Sequence, residues 1–534
     1  MLSLQANCHL LPTQAPLGTG RIREIDSLPN ELLSEIFSLV QTGWETRSWY
    51  RVLWVCRRWS AVGRAAACLW CNFTIRSRLN RPFIVASLKY SGNSPLTIIL
   101  DEPRNLQEDL AKVLYLFSFH IHRIRSFSIN TRELVAASDS VQATSVCFPF
   151  PSLETFEEYR GYFPPLHDRL IWKPDGSDYP HLRNLILGGS ITIEVAPTVV
   201  FPSLRKLELS YSSNPAFTFR SFMEFLSRHP HLEEFGFFQY DLALDIPFAN
   251  LMFPPTIRSF SLASHSKNYI KAFMSSFTHI PAHVSLSISH RYPEFEMESA
   301  TDSTVSSIHM LPAPPQRHLH TLTRVTSIEI TGDMVAVWTL VGRALPGDTD
   351  SLVEFEVDDP WCRPNSFPAP RELVTATQIF KGSPVTDIRL TGNIVGAVPK
   401  AEWIVLFDAF PLLEHVAIEE VVFKHHEDAR EGLLEALLEH PPDGGPRWPR
   451  LRRFTLICQD CTAPFTSLLP RALQVRAEQG AKVEQLRFFA VRTPWELDDD
   501  EESEVMDELV PWFEAATWKK FVDDARLDLV LTYT

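Results

Sequence analysis

Residues 201–210, FPSLRKLELS, carry the pattern that decides how most of the chain folds. An aromatic residue, a proline and a leucine come first, and Leu207 and Leu209 then alternate with polar residues. This alternation is typical of a short strand with one buried side, and the proline marks the entry to the strand. The stretch therefore predicts a strand whose apolar side must be covered by neighbouring elements.

The same phrase recurs along the chain at steps of roughly 22 to 40 residues, as in repeat proteins. Segments with helical periodicity precede the later phrases. Stacked units of one helix and one strand are expected to form a parallel sheet with helices on the other side. The full phrases start at Phe150, Tyr179, Phe201, His229, Phe410 and Trp448, and weaker echoes start at Phe253, Val325, Val385 and Val483. The helical segments are FRSFMEFLSR, RELVTATQIF, EWIVLFDAF, REGLLEALLEH and PRALQVRAEQ.

Residues 25–41, IDSLPNELLSEIFSLVQ, predict a helix that begins near Pro29 and carries apolar side chains on two faces. One apolar face is enough to join a core, so the second is expected to bind a partner. Residues 49–70, WYRVLWVCRRWSAVGRAAACLW, predict a helix pair with a tight break near Cys56.

The order of these residues resembles the F-box, the motif of substrate receptors in Skp1–cullin–F-box ubiquitin ligases. The matching residues are Leu28-Pro29, Glu31-Leu32-Leu33, Ile36-Phe37, Val55-Cys56-Arg57, Trp59 and Leu69-Trp70. The resemblance implies that this module binds a Skp1-like adaptor, and through it a cullin, by a helix-in-groove mode. It assigns adaptor binding to Leu28, Pro29, Leu32, Leu33, Ile36, Phe37, Val55, Cys56 and Trp59, without separating contact residues from those that hold the helices together.

The PxLxxLxL phrase resembles the irregular leucine-rich repeats of F-box proteins, including families expanded in mushroom-forming fungi. The expected fold class is α/β, with a three-helix F-box at residues 23–76 and a leucine-rich-repeat solenoid at residues 77–534. Its parallel strands would lie on the concave side and its helices on the convex side. We further expect a disordered leader at 1–22, loop insertions near 289–320 and 357–371, and a solvated acidic segment at 496–508.

Strand alternation leaves one set of polar side chains on the open face of the predicted sheet. Their mixed charges suit a protein or peptide client better than a polyanion. The alternative for each residue is an ordinary solvated strand position. The candidate client-binding residues are Lys206, Glu208, Glu234, Asp387, Arg389, Arg453 and Arg487.

The composition and the net charge limit the kinds of partner that the protein is expected to bind. With 45% hydrophobic and 22% charged residues among 534, the chain has the composition of a folded protein, and it lacks the roughly 18 consecutive apolar residues of a membrane span. The net charge of −15 argues against nucleic-acid binding. Eight cysteines without a dense spacing pattern indicate a reducing compartment, the cytosol or the nucleus.

A search for chemistry yields no convincing catalytic or cofactor site. Cys68 and Cys71, like Cys458 and Cys461, have the spacing of half a zinc site, but the two pairs are far apart in sequence. The sequence contains no HExxH, GxxxxGK[ST], GxGxxG or GxSxG motif. We therefore expect no metal, no cofactor and no catalysis. Two hypotheses remain: a ubiquitin-ligase substrate receptor, and a leucine-rich-repeat scaffold or sensor unrelated to a ligase.

Overall fold

A computed structural model describes residues 28–43, 49–76, 80–101, 103, 106–130, 144–146, 150–159, 170–172, 176–188, 191–193, 199–210, 218–238, 251–291, 307–332, 337–358, 369–392, 398–419, 431–439, 445–459, 463–492 and 522–531. The chain divides into two compact units, Met1–Phe127 and Ser128–Thr534. The predicted leader at 1–22 and the acidic segment at 496–508 lie outside the described residues. Within those ranges, no helix has both the length and the apolar character needed to cross a membrane.

The described residues of the first unit form four α-helices and the first strands of the chain. Short 3-10 helices at Trp49–Trp54 and Ala67–Trp70 flank the second α-helix. Strands β1 and β2 pair in parallel, with Phe73 opposite Ile98, and both of these side chains are buried. The elements are α1 (Asn30–Gly43), α2 (Arg57–Ala65), β1 (Asn72–Ile75), α3 (Arg81–Tyr90), β2 (Leu96–Asp101), α4 (Leu106–Phe117) and β3 (Ile124–Asn130), which crosses into the second unit.

The second unit is built from short strands separated by helices, so the predicted α/β class is confirmed. Its strands are β4 (Thr144–Val146), β5 (Thr155–Tyr159), β6 (Leu170–Trp172), β7 (Asn184–Leu187), β8 (Ile191–Ile193), β9 (Lys206–Ser210), β10 (Glu234–Phe238), β11 (Ser259–Ser264), β12 (Ser285–Arg291), β13 (Ser327–Gly332), β14 (Val337–Arg343), β15 (Val353–Asp358), β16 (Asp387–Gly392), β17 (His415–Glu419), β18 (Arg453–Gln459), β19 (Val483–Arg492) and β20 (Val522–Leu531). Its helices are α5 (Phe219–Ser227), α6 (Lys267–Ser275), α7 (Pro315–His318), α8 (Ala369–Ile379), α9 (Lys400–Ala409), α10 (Glu431–Leu438) and α11 (Ala463–Glu478).

Strands β5, β7, β9, β10, β11 and β12 pair in that order, all in parallel. In-register apolar side chains form a buried row across them. Each of these strands therefore has the one buried side that the alternation of apolar and polar residues predicts. A second parallel run joins β16, β17, β18, β19 and β20. The first row consists of Phe156, Leu185, Leu207, Phe235, Phe260 and Leu286, each at most 3% exposed.

The repeated phrase forms the same turn at each of its six full copies. The leucine N–H donates to the carbonyl oxygen of the aromatic or histidine residue three positions earlier, as between Leu204 and Phe201 at 3.2 Å. Proline suits the second position of such a turn because its φ is already close to the required value. The six donors are Leu153, Leu182, Leu204, Leu232, Leu413 and Leu451, and all are buried.

The five segments with helical periodicity lie in α5, α8, α9, α10 and α11, as predicted. The expectation of one helix for every strand is wrong near the start of the second unit. There, β6 and β8 follow β5 and β7, and they pair in parallel with β4 in a separate three-stranded sheet. Trp172 of β6 is fully buried, and its ring lies 4.9 Å from the ring of Phe156 on β5 and 5.3 Å from the ring of Tyr179.

The sheet is not parallel throughout, contrary to the prediction. Strand β14 is antiparallel to both β13 and β15, and β15 rather than β13 pairs with β12. The chain therefore passes through β13, β14 and β15 in reverse order before β13 joins β16 in parallel. The connection between β13 and β14 is only four residues long, 333–336, and a connection this short can join only antiparallel neighbours.

The two predicted insertions are narrower in the structure than in the sequence interpretation. Residues 289–291 end β12, and residues 307–320 form short helices with buried Met310, Leu311 and Leu319. Residues 357 and 358 end β15, and residues 369–371 begin α8. The remaining positions, 292–306 and 359–368, lie outside the described residues.

Acid is expected to destabilise the second unit through His290, which is 2% exposed on β12. Burial, together with repulsion from His265 and Lys267, lowers its pKa from 6.5 to about 4. The unfolded chain gains this proton near pH 6.5 and the folded chain only near pH 4, so stability present above pH 6.5 is lost as the pH falls between these values.

We expect this loss to reach roughly 2.5 kcal/mol between about pH 7.5 and about pH 4.5. Urea unfolding of the wild type and of His290→Gln at both pH values measures it. The variant should lose correspondingly less stability on acidification. Equal losses for the two proteins would show that His290 does not carry the effect.

Candidate functional site

Helix α1 presents two apolar stripes that lie side by side. Leu33 and Phe37 are fully buried. Leu32 and Ile36, each one position earlier, are 46% and 37% exposed, and Leu39 continues their stripe at 66%. Residues at i, i+4 and i+7 share one side of a helix, so one stripe faces the core and the other is open.

The buried stripe packs into a core that all the short helices of this module share. Phe37 lies 5.2 Å from the ring of Trp59, and Trp49 meets Trp70 edge-on at 5.0 Å. The Trp70 Nε1–H donates to the carbonyl oxygen of Gly63 at 2.7 Å, so this buried indole is satisfied. The core cluster consists of Leu33, Phe37, Trp49, Val62, Leu69 and Trp70.

Polar contacts fix the relative positions of α1 and α2. The Arg58 guanidinium donates to the Leu28 carbonyl oxygen and to Asn30 Oδ1 at the start of α1. The Cys56 Sγ accepts the Trp59 N–H at 3.4 Å and caps α2, which explains the break predicted near this cysteine. These contacts account structurally for Leu28, Cys56 and Trp59, three of the predicted adaptor-binding residues.

A second exposed apolar segment precedes α2. Trp54 and Val55 are 75% and 62% exposed, at the end of the 3-10 helix that packs against α1. We call Leu32, Ile36, Leu39, Trp54 and Val55 the open face. Leu32, Ile36 and Val55 were predicted from the sequence, whereas Leu39 and Trp54 were missed. The helical spacing of Leu39 from Leu32 was the signal that could have identified it.

The remaining predicted adaptor residues divide between core and surface. Pro29 is exposed and its carbonyl oxygen accepts the Leu33 N–H at 3.1 Å, so it stands at the start of α1. Leu33 and Phe37 belong to the core. A one-residue shift along a helix turns a side chain by about 100°, which is why neighbouring motif residues have such different environments.

The predicted client-binding residues lie on β9, β10, β16, β18 and β19. Glu234, Arg389, Arg453 and Arg487 are exposed, and Lys206 is partly exposed. The Glu208 side chain is only 25% exposed, and its pKa is raised because burial outweighs the nearby charge of Lys206. These side chains line the same side of their strands, but they are not gathered at one point.

Asp387 differs from the other predicted client-binding residues, because it is buried rather than open to a client. Its Oδ2 accepts the Thr386 hydroxyl at 2.7 Å, and its Oδ1 lies 3.2 Å from His415 Nδ1. Burial disfavours the charged carboxylate, but these hydrogen bonds and the charges of His415 and Arg453 outweigh it and lower the pKa. Strand alternation placed Asp387 on the correct face but could not reveal that its neighbours cover it.

The zinc alternative finds no support among the residues described. No group of three or more His, Cys, Asp or Glu side chains there could hold a metal. Cys56, Cys68 and Cys71 are free thiols, and burial raises the pKa of Cys71, which disfavours the reactive thiolate. Cys461 lies outside the described residues.

Comparison with known proteins identifies one matching family. Residues 25–76 match the family model described as F-box-like. This span is nearly the predicted 23–76 module, so the chain carries an F-box-like domain, as its residue order predicted. No curated protein matches the chain.

Proposed function

We propose that this protein is the substrate-recognition subunit of a Skp1–cullin–F-box ubiquitin ligase. The observation that carries the proposal is the open face on an F-box-like domain, whose core is complete without it. Exposed leucine, isoleucine and tryptophan side chains grouped on one small module are typical of an interface. F-box domains generally bind Skp1-like adaptors, which gives the open face its partner.

The open face has the chemistry of a helix-in-groove interface. Leu32, Ile36 and Leu39 supply anchors at i, i+4 and i+7, and Trp54 and Val55 add a second contact segment. Full burial of each such side chain is worth about 1.5–3 kcal/mol. Because the five are 37–75% exposed, binding gains only the corresponding part of this value for each, and that gain acts against the entropy lost on association.

The second unit would hold the client. We propose that its strands, helices and repeated turns form a degenerate leucine-rich-repeat solenoid, and that the protein has no catalytic activity of its own. Tethering a client beside a ligase-bound conjugating enzyme raises the local concentration of client lysines. Since free thiols are usual in reducing compartments, we also propose that the protein acts in the cytosol or nucleus.

Capture of purified Skp1 by the full chain tests the adaptor interaction. We expect the wild type to bind and the double variant Leu32→Asp, Ile36→Asp to lose at least about 100-fold in affinity, because two carboxylates would enter an apolar groove unpaired. Ala61→Asp, Ala65→Asp is the matched control: it adds the same charge at exposed positions of α2 and should bind like the wild type.

The same experiment separates the receptor from the scaffold. Both variants should retain the circular dichroism spectrum of the wild type, because all four substituted positions are exposed or at the open face. A folded wild type that fails to bind, with Skp1 competent toward another F-box protein, would eliminate the receptor function. A leucine-rich-repeat scaffold or sensor would then be the better account.

A further inference from the structure

Four cationic side chains were predicted on the open side of the strands, and the structure separates them by their partners. Lys206 Nζ lies 3.8 Å from Glu208 and 3.9 Å from Glu234, so carboxylates flank it. Arg389 donates to Glu419 at 2.6 Å. Their charges are already compensated, and neither offers a strong site for an external anion.

Arg453 and Arg487 differ from these two residues. Both are exposed, and neither guanidinium forms an ion pair or hydrogen bond anywhere in the described part of the chain. Strand β17 pairs directly with β18, and its Glu419 is engaged by Arg389. Asp387 lies one strand further away on β16, where Thr386 and His415 are its hydrogen-bond partners and the charge of Arg453 also helps to lower its pKa. Two exposed arginines without an ion pair in the described residues therefore lie on one face of a chain whose net charge is −15.

The strand register brings the two arginines together. Arg487 pairs with Thr455 on β18, and Arg453 precedes Thr455 by two residues on the same side of that strand. Strand spacing and rise place the two Cα atoms about 8 Å apart on the diagonal. Thr455 adds a hydroxyl between them. On the far side of Arg487, β20 places Arg526 at the facing register position, with Asp524 and Asp528 on either side of it.

We propose that Arg453 and Arg487 form a docking site for an acidic peptide segment of the client. The segment would carry two carboxylate side chains at alternate positions, with one residue between them. This proposal rests on the receptor function and specifies the chemical class of its client. Alternate side chains of an extended segment lie about 6.6 Å apart, close to the separation of the arginines. Each guanidinium can then form its own charge-assisted hydrogen bonds with one carboxylate.

Two separated guanidiniums favour two carboxylates over one phosphate, because a single phosphate is too small to span them with good geometry at both ends. They also favour a peptide over nucleic acid, since binding to a polyanion needs many clustered cations to displace its counterions. The remaining acidic residues of the chain would repel such a polymer.

The test measures fluorescence anisotropy of labelled decapeptides with the full chain at low ionic strength. The probe carries glutamates at alternate positions in a Ser/Gly background. Arg453→Ser, Arg487→Ser should weaken its binding about tenfold, which corresponds to two exposed charge pairs. The control Arg205→Ser, Arg452→Ser removes the same charge from arginines that already pair with Glu233 and Glu484 and should bind like the wild type.

A charge-reversal variant controls for loss of folding, because an unfolded protein would not gain binding to a peptide of opposite charge. Arg453→Glu, Arg487→Glu should bind a decapeptide with alternate lysines better than the wild type does. Equal binding of the glutamate peptide and a glutamine peptide, or equal losses in both arginine pairs, would overturn the proposal. So would tighter binding of a phosphoserine peptide or a short oligonucleotide that the same variant abolishes.

Skp1 capture with the same variants keeps this proposal distinct from the function on which it rests. The Arg453→Ser, Arg487→Ser variant should bind Skp1 like the wild type, because both substitutions lie in the second unit. Loss of the peptide effect with Skp1 binding retained removes only the client class. Failure of the wild type to bind Skp1 would eliminate the receptor function. The peptide measurement would still show whether the two arginines bind an acidic segment.

Discussion

Phe37→Ala is expected to lower the free energy of unfolding of the F-box-like domain by about 4 kcal/mol. The Phe37 ring is fully buried and packs on Trp59, so truncation removes apolar burial and leaves a cavity among the core side chains. Hydrogen exchange of residues 28–70 in the full chain measures the change, because it reports this domain separately from the second unit.

The neighbouring Ile36→Ala is the matched comparison. Ile36 is 37% exposed on the open stripe, so its truncation should change the stability of the domain by less than about 1 kcal/mol. It should instead weaken Skp1 capture, whereas Phe37→Ala should weaken capture only as far as it unfolds the domain. Equal loss of protection in the two variants would mean that α1 does not separate a core stripe from an open stripe.

These paired residues mark the limit of what the sequence could predict for the candidate site. The two apolar stripes of α1 follow from spacing alone, and so does the expectation that one of them is surplus. Which stripe faces the core depends on where Trp49, Trp59 and Trp70 lie, and these rings come from other segments. Only tertiary packing therefore separates Leu33 from Leu32.

The same limit applies to the fold. The repeated phrase predicted its strands and their buried side, because alternation and the proline turn are local features. The reversed passage through β13, β14 and β15 is not local: it depends on which strand edge remains free when the chain returns. The contact of Asp387 with His415 likewise depends on a neighbouring strand, β17.

Gly392→Ala is expected to destabilise the second unit by about 4 kcal/mol. Both β13 and β16 end in Thr-Gly, and their register pairs Gly332 with Gly392. Gly392 has a φ of +89°, where a side chain is strained by about 1–2 kcal/mol. A Cβ at this position would also lie 2.0 Å from the Gly332 carbonyl oxygen, so the two strand ends would have to separate.

Gly347→Ala isolates the backbone strain from the steric clash. Gly347 has a similar φ of +84°, but nothing lies within 4 Å of the position that its Cβ would occupy. Its substitution should therefore cost only the backbone strain, about 1–2 kcal/mol. Urea unfolding of both variants gives the difference, which measures the close approach of Gly332 and Gly392.

That approach matters because β13 is the strand through which the reversed β13–β15 segment joins β16. If the pairing needs glycine at its end, hydrogen-exchange protection of β13 and β16 should fall together in Gly392→Ala and stay unchanged in Gly347→Ala. Equal costs for the two substitutions would mean that the strand ends part without penalty. The Thr-Gly endings of the two echoes would then reflect only the turn that follows each strand.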